Sequence, residues 1–218
     1  MKVVNLSLQD SIVNQFLKEL RSKDIQGDSM RFRRNIERIG EVMAYEISKD
    51  LRYAEETIQT PLAPCTLRTP QDKIVLGTIL RAGMPLHDGF FHFFDKAENA
   101  FISAYRKYTD ASCTDVDIVV EYMAAPDLTG KTLILPDPML ATGGSMELSY
   151  KALLRNGQPA RVILASVIAT EEAIRFLQSK MPEDAVLYVG AVDPVLNERK
   201  YIVPGLGDAG DLCFGEKL

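Results

Sequence analysis

The stretch 132–145, Thr-Leu-Ile-Leu-Pro-Asp-Pro-Met-Leu-Ala-Thr-Gly-Gly-Ser, constrains the fold more than any other part of this chain. Its apolar residues Leu133, Ile134 and Leu135 fall on consecutive positions. Successive side chains of a strand point to opposite faces, so such a run needs cover on both. Parallel sheets with helices on each side provide that cover, whereas half-solvated antiparallel sheets favour alternation. The run stops at Asp137, turns through Thr142, Gly143 and Gly144, and enters a helical pattern at Ser145. The unit is a buried strand, an acid at its carboxyl end, and a glycine-rich turn onto a helix N-terminus.

Strand and helix patterns alternate along the rest of the chain. A continuous apolar run predicts a strand over 74–80, with shorter strands over 101–105 and 116–122 and further ones over 161–168 and 186–192. Helices are expected over 84–95, from Gly144 to a C-cap at Asn156-Gly157, and over 170–180. At the N-terminus, residues 7–10 read as a capping box ahead of the stripe Ile12, Val13, Phe16, Leu17 and Leu20. A second helix follows Asp28, with Phe32, Ile36, Ile39, Met43 and Ile47 on one face. Residues 61–70 read as a Pro/Thr-rich connection, 110–117 as a polar stretch, and 201–215 as glycine-rich and irregular. The fold class is α/β: a predominantly parallel sheet with helices on both faces, N-terminal helices, and a C-terminal glycine-rich segment. Length fits a single domain over 1–218, with a helical part over 1–60. Ligands in such sheets sit beyond the carboxyl ends of the strands. Arg81, Arg106, Asp137 and Asp193 each follow a predicted strand, and are expected to converge on one crevice.

A net charge of −5 argues against a nucleic-acid-binding surface, although Arg31, Arg33, Arg34 and Arg38 make the second helix locally basic. Glu37 and Glu41 offset part of that charge, and a solvated face is its simplest reading. Cys65, Cys113 and Cys213 have neither the number nor the spacing of a disulfide framework or zinc site, which fits a reducing compartment. The N-terminus lacks signal-peptide character, and no apolar run has the length of a membrane helix. His87 and His92 flank the aromatic run at 89–94 and read as surface or helix-face residues, so no metal ligands are assigned.

The glycine-rich turn presents backbone N–H groups to an anion, and the helix dipole favours negative charge there. Thr142 and Ser145 add hydroxyl donors. Asp137 would repel a phosphate and suits the hydroxyls of a sugar, so the unit outlines a ribose 5-phosphate site. Arg81, in Leu80-Arg81-Ala82-Gly83, has small residues behind it and room for a large anion. Arg106 lies in Ala104-Tyr105-Arg106-Lys107. Either arginine alone reads equally as a capping residue, but two from separate strand ends suit a diphosphate, whose oxygens a guanidinium binds in pairs. In the string 201–211, Tyr-Ile-Val-Pro-Gly-Leu-Gly-Asp-Ala-Gly-Asp, three glycines suit close backbone approach to a ligand. Ile202, Val203 and Leu206 argue against a disordered tail.

These strings, in this order, resemble the type I phosphoribosyltransferases, and among them the uracil phosphoribosyltransferases. Residues 137–145 are similar to that family's phosphoribosyl diphosphate (PRPP) loop, with Pro138 where most type I enzymes carry a second acid. Leu80-Arg81-Ala82-Gly83 and Tyr105-Arg106 match its arginine motifs, although Lys107 stands where the family has an acid. The 201–211 string, with Asp193-x-x-Leu-Asn197 upstream, resembles its uracil-binding loop, although Leu212 replaces the usual arginine. The resemblance covers nearly the whole chain and is least over 84–128.

The resemblance implies a cytoplasmic pyrimidine-salvage enzyme that converts uracil and PRPP to UMP and diphosphate. It implies Mg²⁺ bound mainly through PRPP and a homodimer or larger assembly. Catalytic roles fall to Arg81, Arg106, Asp137 and Asp208. PRPP would be held by Arg81, Arg106, Asp137, Pro138, Met139, Leu140, Ala141, Thr142, Gly143, Gly144, Ser145 and Asp208. Uracil would meet Tyr201, Ile202, Gly207, Asp208 and Ala209 in a base-binding segment over 193–218. That contact is mainly with backbone, so truncating Ile202 is expected to matter little. Two alternatives stand beside this reading. One is a transferase for another nucleobase, disfavoured by the C-terminal string. The other is a nucleotide-sensing, RNA-binding regulator, favoured by the basic helix and disfavoured by the acidic balance. No membrane or nucleic-acid partner is expected.

Overall fold

The computed structural model describes residues 1–108 and 116–216, with the backbone alone over 104–108 and 116–120. In chain order, β1 (Lys2–Asn5) precedes α1 (Ile12–Arg21) and α2 (Ser29–Ser48), followed by β2 (Tyr53–Gln59) and β3 (Pro64–Pro70). Next come β4 (Ile74–Leu80), α3 (Gly83–Phe91), β5 (Glu98–Tyr108), β6 (Val116–Ala124), β7 (Thr132–Pro136), β8 (Met139–Leu140) and α4 (Gly144–Leu153). The chain ends with β9 (Arg161–Thr170), α5 (Glu171–Gln178), β10 (Val186–Asp193), β11 (Val195–Leu196), β12 (Ile202–Val203) and α6 (Ala209–Phe214). The central sheet has the order β1-β10-β9-β7-β4-β5-β6, with β8 also on β9. Among the described residues, its pairings are parallel except that of β5 with β6.

The consecutive apolar runs are buried on both faces, as their lack of alternation requires. Leu76, Ile134, Ile163 and Ala165 pack with Phe32, Ile36, Ile39 and Met43 of α2 and with Leu86 and Phe90 of α3. Val75, Leu133, Leu135, Val162 and Leu164 face the other way, onto Met146, Tyr150 and Leu153 of α4 and Ala173 and Leu177 of α5. Helices α2 and α3 approach closely because both carry glycine at the crossing. A Cβ on Gly89 would lie 2.1 Å from the Glu37 carbonyl oxygen, and one on Gly40 would lie 2.6 Å from that of Leu86.

Several expectations change. Residues 6–8 form a 3₁₀ turn, and Ser11 rather than Ser7 caps α1 by accepting the Val13 N–H. The strand β1 was not anticipated; it adds a parallel edge through the register Lys2↔Val186 to Asn5↔Val189. Residues 61–70 are no mere connection, since 64–70 pair antiparallel with 53–59 as a ribbon whose side chains are nearly all exposed. The strand expected over 101–105 extends from Glu98 to Tyr108, so Arg106 lies within β5, opposite Ile118, and not beyond a strand end. The helix expected to reach residue 95 stops at Phe91. The C-terminal string is not irregular: it holds β12 and α6. His87 is buried against Phe91 and Phe101, whereas His92 is exposed. The stretch 109–115, with Cys113, lies outside the described residues.

Candidate active site

The sheet delivers its β7 strand end into a shaped loop. Asp137 donates its backbone N–H to the Ala165 carbonyl (2.9 Å), and its Oδ1 accepts the Met139 N–H (3.2 Å). That side-chain-to-backbone bond turns the chain sharply after the strand. Gly143 then adopts φ +83° at the N-cap of α4, and no side chain caps this helix. Apart from a long contact of the Gly144 N–H with Thr142 Oγ1, its first-turn N–H groups have no intrahelical carbonyl and no capping oxygen, the condition in which a helix N-terminus receives an anion. The loop is held from behind by Thr170, whose hydroxyl donates to the Ala141 carbonyl (2.7 Å) while accepting the Ala173 N–H (3.0 Å).

Arg81 follows β4 directly. Gly83 behind it leaves no room for a side chain, since a Cβ there would lie 2.6 Å from Thr78 Oγ1. The guanidinium reaches the C-terminal helix, with Nη2 2.7 Å from Asp211 Oδ1 and Nη1 donating to the Gly215 carbonyl at 3.1 Å. Asp208 caps α6 by accepting the Asp211 N–H at 3.1 Å.

These parts surround a cavity of about 470 Å³. Its wall includes Arg81 and Ala82 from one side and Asp137, Pro138, Met139, Ala141 and Ser145 from the loop. Lys200, Tyr201 and residues 208–211 close the far side. Leu140, Thr142 and Gly143 line the adjoining cleft over the helix N-terminus, again with Asp137 and Ser145. Gly144 opens α4; its N–H lies 3.5 Å from Thr142 Oγ1, too far for a strong bond. The structure thus assembles Arg81, Asp137, the 137–145 loop, Tyr201, Asp208 and Ala209 in one place.

Other expected site residues lie elsewhere. The side chain of Arg106 lies outside the described residues. Gly207 is exposed and off the cavity wall. Ile202 is 4% exposed and belongs to the apolar core, so its side chain is structural and its truncation is not the neutral change expected. Asp193 does not join the crevice: its carboxylate pairs with Arg21 at 2.8 Å. Lys200 and Asp211 went unrecognised in the sequence, although Asn197 carried a signal for the first. The Asn197 Oδ1 accepts the N–H groups of Arg199 (3.0 Å) and Tyr201 (2.9 Å), forming the turn that brings Lys200 to the wall at φ +61°.

The arginines of α2 each contact a neighbouring group of the fold, while Arg31 and Arg34 keep nearly half of their side-chain surface exposed, which weakens the feature that favoured an RNA-binding regulator. Arg31 binds both oxygens of Glu19 at 2.9 Å. Its hydrogen bonds, with those of Asn35 and Gln15, hold the Glu19 carboxyl down at about 2. Arg33 donates to the Cys213 carbonyl and lies over Phe214; Arg34 pairs with Glu37; Arg38 lies over Phe16. Burial pushes the Cys213 thiol up to about 12, so it is an unreactive core group.

Three wall carboxylates bear on metal binding. Asp137 serves the Met139 N–H, Asp208 the Asp211 N–H, and Asp211 the Arg81 guanidinium. Among the described residues one group of three potential ligands lies close together, Glu37, Glu41 and His92, on the surface away from the cavity. Arg34 already contacts both of its carboxylates.

Comparison with known proteins agrees with this geometry. A sequence model described as uracil phosphoribosyltransferase matches residues 7–216. A curated uracil phosphoribosyltransferase of Porphyromonas gingivalis is 54% identical over 218 residues, 100% of each chain. Another, of Thermococcus gammatolerans, is 36% identical over 216 residues, covering 97% of this chain and 93% of its own. Among solved structures, the AQ2163 protein of Aquifex aeolicus has a TM-score of 0.87 at 28% identity, over 98% of both chains. With an acid, an open helix N-terminus and an arginine around one cavity, and full-length relatives of this similarity, the chain belongs to the uracil phosphoribosyltransferase family.

Proposed function

We propose that the protein transfers the phosphoribosyl group of PRPP to N1 of uracil, giving UMP and diphosphate in pyrimidine salvage. One observation carries this reading. Asp137 and the uncapped N-terminus of α4 share a cavity with Arg81, opposite the glycine-rich segment. Asp137 accepts hydrogen bonds from the ribose hydroxyls, and the 141–145 loop holds the 5′-phosphate. Diphosphate leaves C1 with the bonding electron pair, the sugar gains oxocarbenium character, and N1 of uracil closes the new bond and loses its proton. Arg81 and Arg106 stabilise the departing charge. Arg81 exchanges its carboxylate partner Asp211 for the diphosphate as PRPP binds. Asp208, on the cavity wall, is assigned to positioning PRPP and to lowering the cost of losing the N1 proton.

The wall carboxylates each already serve a donor, so the residues fit a magnesium ion carried on PRPP oxygens and water better than one enclosed by the protein. Bound magnesium supplies charge neutralisation at the leaving diphosphate. Uracil offers N3–H as donor and O4 as acceptor, and cytosine reverses both. Backbone groups at 208–209, on the cavity wall, read that edge, and a site of this kind rejects the mismatched base by up to about 10⁴-fold.

The proposal includes a single domain over 1–218, a cytoplasmic location supported by the free thiols of Cys65 and Cys213, and a homodimer or larger assembly. The apolar Ile58, Leu62 and Leu67 left exposed on the β2–β3 ribbon support assembly, which light scattering tests. Turnover with PRPP and a base panel tests the reaction itself. Uracil and 5-fluorouracil should yield nucleotide and cytosine should not. Equal rates with cytosine would overturn uracil specificity. Turnover of a purine alone would replace the assignment.

A further inference from the structure

We propose that Arg21 and Asp193 form a positioning clamp that sets the geometry, and so the affinity and selectivity, of the base-reading loop. The proposal rests on the uracil assignment above for what the loop reads. It adds a part of the molecule from which no residue lines the cavity, the N-terminal helix α1.

Asp193 ends β10 and is 4% exposed. Arg21 ends α1 and grips it with two bonds, Nη1 to Oδ2 and Nη2 to Oδ1, both 2.8 Å. Each member of this pair makes one further hydrogen bond, and both go to one residue. Asp193 Oδ2 accepts the Gly205 N–H at 3.0 Å, and Arg21 Nη1 donates to the Gly205 carbonyl at 3.0 Å. The result is a closed ring of hydrogen bonds around a single backbone position. Nothing but glycine fits it: φ is +61°, and a Cβ would lie 2.1 Å from the Ile202 carbonyl oxygen. Beside the ring, the Gln26 amide is anchored on the Leu20 carbonyl at 2.9 Å and points towards the Leu206 carbonyl at 3.5 Å.

The fixed point stands two residues before Gly207. A loop with glycines at 205 and 207 has little intrinsic preference for one conformation. Recognition by backbone groups nevertheless demands placement within about 0.5 Å, which must come from supporting contacts. A burial-driven ion pair alone is a weak source of stability, because desolvation offsets the attraction. Its value here lies in orientation: each partner makes one further hydrogen bond with the loop, Arg21 donating to the Gly205 carbonyl and Asp193 accepting from the Gly205 N–H.

The test compares wild type with Arg21→Lys, which keeps the charge and loses the fork, and Asp193→Asn, which keeps the shape and loses the charge. In steady-state kinetics, KM for uracil should rise at least tenfold and the preference for uracil over cytosine should fall. KM for PRPP should stay within twofold, and Arg21→Lys should be the milder change. Amide hydrogen exchange of the ligand-free proteins gives a second readout, with exchange at 205–209 accelerated while the β4, β7 and β9 amides keep their protection. Uniform loss of protection together with a rise in both KM values would show a merely structural pair and overturn the clamp. So would wild-type uracil KM and wild-type exchange at 205–209 in both variants. Should wild type fail to use uracil, the functional assignment falls, and exchange at 205–209 still decides the clamp.

Discussion

Gly143→Ala perturbs the phosphate loop at one point, and Gly130→Ala supplies its control. Both glycines have positive φ, +83° at Gly143 and +72° at Gly130. A side chain in that region costs about 1–2 kcal/mol by itself. At Gly130 nothing lies within 4 Å of the new Cβ, so the conformational cost is the whole effect. At Gly143 the Cβ would lie 3.0 Å from Phe176 Cδ1, 3.1 Å from Leu177 Cγ and 3.3 Å from the Ala173 carbonyl oxygen. Relieving those contacts adds about 1–3 kcal/mol, as overpacked sites do. The expected losses are therefore about 1–2 kcal/mol for Gly130→Ala and about 2–5 kcal/mol for Gly143→Ala. At about 2–4 °C per kcal/mol for a domain of this size, the Tm falls by roughly 4 °C and roughly 10 °C respectively. The loop also moves away from α5, and losing one charge-assisted phosphate contact is worth about 1.5–3 kcal/mol. KM for PRPP should therefore rise ten- to hundredfold in Gly143→Ala and stay unchanged in Gly130→Ala, where nothing touches the cavity. Thermal melts and initial rates over a PRPP series measure both. Equal Tm shifts in the two variants, or a wild-type PRPP KM in Gly143→Ala, would refute the packing of the loop on α5 as the source of its shape.

Ile202→Ala removes a 4%-exposed core side chain and should cost about 2–5 kcal/mol in urea denaturation; a loss below about 1 kcal/mol would contradict its burial. Asp211→Asn removes the competitor for Arg81, and since both partners are partly exposed, the gain is about 0.2–1 kcal/mol. Diphosphate should then bind up to roughly fivefold more tightly by calorimetry, and weaker binding would show that Asp211 orients Arg81 rather than competing for it. Glu19 has its folded pKa depressed from 4.5 to about 2, so the stability it contributes is present above 4.5 and is lost as pH falls towards 2. The stability gap between wild type and Glu19→Gln should be open at pH 7 and close over that acid window. A gap that stays constant with pH would assign the effect to shape rather than charge.

The elements that were legible in the sequence are those whose signal is local. Leu133, Ile134 and Leu135 announced a doubly covered strand, and Asp137 with Gly143 announced the turn that follows. The ribbon was hidden because Tyr53, Glu55, Thr57 and Gln59 alternate with nothing apolar enough to mark a buried face, and because Pro61, Pro64 and Pro70 suggest a connection. Helix α6 was hidden by Gly210 and the acids around it; only the cap at Asp208 shows why six residues there are helical. Asp193 was misplaced for a different reason. Its position at a strand end was right, but what its carboxylate meets is Arg21, 172 residues earlier, and no local pattern encodes that pairing. Asp211 beside Arg81, across 130 residues, is the same kind of information.

The edge strand β1 has a consequence for how the chain is made. Its partner in the sheet is β10, with Lys2 beside Val186, and α1 is latched by Asp193. At roughly 5–20 residues per second, a ribosome needs on the order of 10–40 s to pass from the first of these strands to the second. Throughout that interval the first strand emerges with its ladder unpaired, a template for any other exposed edge. Synthesis of β10 is thus the step that pairs β1. A ribosome stalled just before residue 186 would hold a nascent protein whose N-terminal strand is still open to the wrong neighbour.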